Sequence, residues 1–194
     1  MRKLKYILAS VVLSAGFASC ETEVIDEKVK DDSLPGKSIL SFDLNAKETV
    51  VTDKVTVGFV GGTMSINANL SLINEEDTSN PETRYKPAHL HIRFSSLVVG
   101  NFPTVLSVDN PSNFMSSATL MVQEFDDEGE KVWIEYSTLN AAENQNAGYG
   151  NITHVNGTAK YMNGNFEYIL FPEEENSLFE TQRISKGNFN YITY

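Results

Sequence analysis

Beyond residue 37 the apolar residues recur at a spacing of two. Leu40, Phe42 and Leu44 alternate with Ser41 and Asp43, and Val55, Val57 and Phe59 alternate with Thr56 and Gly58 ahead of a Gly61-Gly62 turn. Met64, Ile66, Ala68, Leu70 and Leu72 alternate with Thr63, Ser65, Asn67, Asn69 and Ser71. Successive side chains of an extended chain point to opposite faces, so this pattern predicts strands with one buried and one polar face. Antiparallel sheets with one solvated side have this character. Leu90, Ile92 and Phe94 form the next apolar face, and Val98 to Pro103 reads as a turn into another short strand. Residues 117–125 and 131–138 flank the acidic turn Asp126-Asp127-Glu128-Gly129, which is a hairpin pattern.

The last third predicts a meander. Residues 157–162 and 166–171 flank an Asn163-Gly164 turn, and 179–184 and 189–194 flank a Lys186-Gly187 turn, with an acidic loop from Pro172 to Ser177 between the two pairs. Glycine suits the positive φ that tight hairpins need. Residues 139–147 offer at most one helical turn, and no longer segment carries a helical period. Strands recurring every ~8–12 residues predict one all-β domain over residues 38–194, an antiparallel β-sandwich or a partly open β-barrel.

The first twenty residues, MRKLKYILASVVLSAGFASC, have a different character. Arg2, Lys3 and Lys5 precede a mostly apolar run from Ile7 to Phe17, and small residues then lead to Cys20. The run is shorter than the ~20 residues that cross a bilayer. It has the layout of a cleaved secretory signal over residues 1–19. A cysteine directly after small residues resembles the lipobox of bacterial lipoproteins. That resemblance implies lipidation of Cys20, and several acyl chains are what stable anchoring takes. Cys20 is the only cysteine, so the chain can form no internal disulfide and has no thiol-based metal site. Residues 20–37 are polar and charged and end near Pro35-Gly36, which predicts a flexible tether between lipid and domain. Glu21, Glu23, Asp26 and Glu27, just after the cysteine, resemble the signal that exports some Bacteroidota lipoproteins to the cell surface.

Net charge is −11, and loss of the basic leader would make the remainder more acidic still. Such a body repels phosphate polymers and anionic lipid, so no nucleic-acid partner is expected and the membrane contact is expected to be the lipid itself. The order of lipobox, acidic tether and alternating strands is followed by Gly150-Asn151-Ile152, Gly164-Asn165-Phe166-Glu167-Tyr168 and Gly187-Asn188-Phe189-Asn190-Tyr191. This resembles a set of Bacteroidota lipoproteins with single all-β domains of unknown function. The resemblance implies a fold and an outer-membrane location in the cell envelope. It supplies no catalytic residue.

Few residues carry recognisable chemistry. His89 and His91 lie two apart in Pro87-Ala88-His89-Leu90-His91-Ile92-Arg93-Phe94 and so share a strand face, opposite Leu90, Ile92 and Phe94. Two imidazoles so placed can share a Zn²⁺, with His154 or a carboxylate as third ligand. The plain alternative is a solvated sheet face, which also accounts for Arg93. Aromatics crowd the closing strands, among them Tyr161, Phe166, Tyr168, Phe189 and Tyr191, and are expected to serve mostly as core, although exposed ones can stack on sugar rings. Neither acidic run, 126–128 or 173–175, has the alternating ligand order of a calcium loop. Hydrolase and phosphate-loop motifs are absent. The function expected from sequence is a non-enzymatic binding module for a glycan, a small ligand or an envelope protein. The alternative is a metal-binding or metal-dependent hydrolytic protein using His89 and His91.

Overall fold

The computed structural model describes residues 36–74, 84–104, 115–125, 129–173 and 179–194. The expected signal peptide, Cys20, all but the last two residues of the tether, the 126–128 turn and residues 174–175 lie outside these. The described chain forms eleven strands: β1 Ile39–Leu44, β2 Glu48–Thr52, β3 Val55–Val60, β4 Thr63–Ile73, β5 Tyr85–Phe94, β6 Gly100–Pro103, β7 Ser116–Phe125, β8 Lys131–Ser137, β9 Gly148–Asn156, β10 Tyr161–Pro172 and β11 Gln182–Thr193. Among the described residues the only helical element is a short turn at Thr138–Asn140. The all-β reading therefore holds, and every pairing is antiparallel.

The strands make two layers. One runs β2-β1-β11-β10-β9-β6 and the other β8-β7-β5-β4-β3. Strand β10 belongs to both: Tyr161 to Tyr168 pair with β9, and Phe171 and Pro172 pair with Ser137 and Tyr136 of β8. At the opposite corner the chain passes from β2 in the first layer to β3 in the second. There the Asn69 N–H donates to Lys54 O at 3.1 Å and the Thr52 hydroxyl to Asn69 O at 3.0 Å. No ladder joins β2 to β4, so the sheet stays open along this seam.

Alternation decides what lies between the layers. Leu40 and Phe42 of β1, Met64 and Ile66 of β4, Leu90, Ile92 and Phe94 of β5, and Phe166 and Phe189 of β10 and β11 are all essentially inaccessible. Phe94 meets Phe102 edge-on at 5.3 Å and Phe189 at 5.9 Å, which locks the second layer to the first. Each such ring removed from water contributes ~1.5–3 kcal/mol, and each ring pair adds ~0.5–1.5 kcal/mol.

Two expected turns are not turns. Residues 161–172 run as one strand through Asn163-Gly164, and 182–193 as one strand through Lys186-Gly187, with shifts of register at both places. The hairpin connection lies earlier, at 157–160, and β9 before it is longer than the alternation around Ile152 suggested. The glycines are there because the opposite chain comes close. A Cβ on Gly164 would lie 2.2 Å from Asn151 O and 2.2 Å from the Phe189 ring, and one on Gly187 would lie 2.5 Å from Phe166 O. Both glycines sit at register shifts, with the extra residue on β11 in each case and also on β9 opposite Gly164, and such bulges bend the ladders across the core. Strand β2 was not legible as a strand, because Glu48 to Thr52 buries only Val50.

Candidate functional site on the outer face of the second layer

In β5 the residues facing away from the core are Tyr85, Pro87, His89, His91 and Arg93. Their neighbours come from register. Asn69 of β4 faces His89, His89 faces Met121 of β7, and Met121 faces Glu135 of β8. One step along, Gln123 faces Trp133. Trp133 and His89 stand on strands separated by β7, yet their rings stack at 5.1 Å with 27° between planes. Strands lie ~4.7–4.9 Å apart, so the two side chains must lean towards each other over β7 to make this contact. His89 is held from its other side as well, its Nδ1 in hydrogen-bond contact with Asn69 Oδ1 at 2.8 Å.

Two further rings extend this surface. Tyr85 at the start of β5 and Phe125 at the end of β7 line a notch of about 130 Å³ together with Asn74, Gln123 and Lys131. Tyr85 is 52 % exposed, Phe125 49 % and Trp133 42 %. Arg84 sits over the Tyr85 ring at 5.6 Å and the Lys131 ammonium over Phe125 at 6.0 Å. Gln123 faces Trp133 and also lines the notch, so platform and notch are continuous. The result is a strip of three exposed aromatic rings and one imidazole, edged by amides and cations, on a rigid five-stranded scaffold.

The structure brings His89 and His91 to one face, as the spacing predicts, but places His154 elsewhere. His154 is on β9 of the first layer, opposite Asn163, with its ring 5.5 Å from Tyr161. Among the described residues no three His, Cys, Asp or Glu side chains come together as a metal site would need. Partial burial, with the charge of Arg93 beside it, lowers the pKa of His91 and favours its neutral form. Most closing-strand aromatics are core, as expected: Phe166, Tyr168 and Phe189 are buried, and Tyr161 nearly so. The exposed platform comes instead from Tyr85, Phe125 and Trp133, which sequence reasoning did not single out. The signal was parity. Tyr85 is in step with Pro87 and His89 and out of step with Leu90, and Trp133 is out of step with Ile134 and Tyr136.

These features define an open, antiparallel all-β fold that carries an aromatic strip on one outer face. No protein-family model, curated protein or solved structure matches the chain.

Proposed function

We propose that this chain is a lipid-anchored envelope protein whose domain binds a glycan on the outer face of the second layer, without catalysis. The observation that carries the reading is the contiguous exposure of Tyr85, Phe125 and Trp133, with Trp133 stacked on His89. A soluble sheet face usually keeps such rings inward. Large rings left outward on adjacent strands mark a binding surface. Sugar rings have apolar C–H faces and hydroxyl edges. The aromatic strip suits the first, and Gln123, Lys131 and the His89 imidazole suit the second. The flat, rigid aromatics lose little side-chain entropy on binding. The anchor is supported by the lipobox-like residues ending at Cys20 and by the charged run after it.

A glycan array probed with the purified chain tests the proposal. It expects saturable binding to at least one polysaccharide class. Trp133→Ala should weaken that binding at least tenfold, which corresponds to ~1.4 kcal/mol. Phe125→Ala should weaken it too, with the melting temperature of both variants unchanged. A blank array, or binding indifferent to both substitutions, overturns the reading.

A further inference from the structure

A second opening lies between the layers, at the end of the sandwich where the β1–β2 turn meets the start of β5. Its volume is about 240 Å³. The floor is apolar, made by Leu44, Leu72 and Val122. The walls are polar and already organised. Asn45, at φ 53°, donates from Nδ2 to Gln182 Oε1 at 2.7 Å and accepts the Arg183 N–H at 2.7 Å. Tyr136 lines the cleft from the other layer, beside Gln182, whose own Nε2 donates to Glu180 O at 3.2 Å. Opposite, the Lys86 ammonium is paired with Glu124, and these side chains are only 17 % and 22 % exposed. The Glu48 carboxylate accepts the Ile73 N–H at 3.0 Å.

Closing a sandwich end does not require this. A partly buried ion pair loses hydration that apolar residues of the same size would not have to give up. Polar groups fixed by one another around an apolar floor are the preorganised lining of a small-molecule site. The lining also restricts the ligand. The lining holds two cations, Lys47 and Lys86, and two carboxylates, Glu48 and Glu124, so its formal charges balance and favour a ligand without net charge. Donors and acceptors are interleaved, which suits hydroxyl groups, since each hydroxyl both donates and accepts. The volume equals about eight waters at ~30 Å³ each, room for one ring and no more.

We infer that this cleft is a binding site for a single neutral polyhydroxylated ring, such as one hexopyranose. It uses different side chains from the outer face and stands without the glycan reading of that face. The test is an NMR titration of the full chain with methyl glucoside, methyl galactoside and N-acetylglucosamine, with gluconate and glucosamine as charged controls. The expected result is saturable shifts of the Asn45 and Gln182 side-chain amides with at least one neutral sugar. Tyr136→Phe, which removes one oxygen, should weaken the binding at least fivefold, and Trp133→Ala should leave it unchanged. Gln182→Met serves the same purpose if Tyr136→Phe fails to fold. Silence with every neutral sugar, tighter binding of either charged control, or wild-type affinity in the folded variant overturns the inference.

Discussion

Replacing Gly164 by alanine tests whether the long bent strands are what hold the two layers together. The added Cβ would lie 2.2 Å from Asn151 O and 2.2 Å from the ring of Phe189. Neither neighbour can easily retreat. The Asn151 carbonyl belongs to the β9–β10 ladder, and Phe189 is fully buried, packed on Phe166 at 6.3 Å and Phe94 at 5.9 Å. Overpacking a core costs ~1–3 kcal/mol, and loss of a ladder hydrogen bond adds ~1 kcal/mol. A total of about 3 kcal/mol lowers the melting temperature of a domain this size by about 6–12 °C. The control is Gly157→Ala, in the turn after β9, where nothing lies within 4 Å of the new Cβ and Asn156 Oδ1 already holds the turn through Thr158 N and Ala159 N. There the alanine only restricts the unfolded chain and should be neutral or stabilising by up to ~1 kcal/mol. Thermal and urea melts of both variants make the comparison. A Gly164→Ala protein melting within 2 °C of the parent, or equal losses in the two variants, would refute the bulge account.

Three further outcomes are expected. Burial pushes the Tyr136 hydroxyl up to about 12, and the fully buried Tyr168 is raised too, so their neutral forms stabilise the fold up to the ordinary tyrosine value near 10 and that stability is lost as pH climbs towards 12; urea midpoints followed with absorbance at 295 nm check this, and a midpoint constant between pH 9 and 11.5 contradicts it. His89 is engaged by Asn69 and Trp133 and no third ligand stands by it among the described residues, so the untagged protein should carry no stoichiometric zinc; near-stoichiometric metal that disappears in His89→Ala and His91→Ala would revive the metal site. Cys20→Ala should release the protein from membranes or stall its maturation, and unchanged fractionation refutes the anchor.

Alternation carried most of the fold into the sequence, and the exceptions share one cause. The strands at Leu40–Leu44, Met64–Leu72 and Leu90–Phe94 bury one parity of residue and so announce themselves. β2 buries only Val50, because it lies at the edge of its layer, and its pattern is correspondingly faint. Gly164 and Gly187 follow Asn163 and Lys186, and locally such pairs spell a hairpin turn. Their actual reason is non-local: Asn151 O and Phe166 O press on them from neighbouring strands. Propensity reads the residue and its neighbours in sequence, and cannot read what a strand a dozen or more residues away needs.

The binding surface was half legible for the same kind of reason. That His89 and His91 face outward follows from the parity of one strand, and it held. What they meet depends on strand order, which parity does not contain. Had β8 followed β5 directly, Trp133 would have been a cross-strand neighbour of that face. With β7 interposed, the indole and the imidazole meet only by leaning over it, and that stack fixes an exposed tryptophan as part of the surface. The polar cleft depends on order more strongly still. Asn45, Lys86, Tyr136 and Gln182 come from four distant parts of the chain and from both layers, and they converge only because β10 crosses from one layer to the other. Straightening β10 would pull the Tyr136 and Gln182 walls apart. Gly164→Ala, which crowds β10 where its register with β9 and β11 shifts, should therefore disturb the Gln182 side-chain amide signals of any protein that still folds, while leaving the His89–Trp133 stack on the outer face intact. Unperturbed Gln182 signals in a folded Gly164→Ala protein would show that the bend and the cleft are independent.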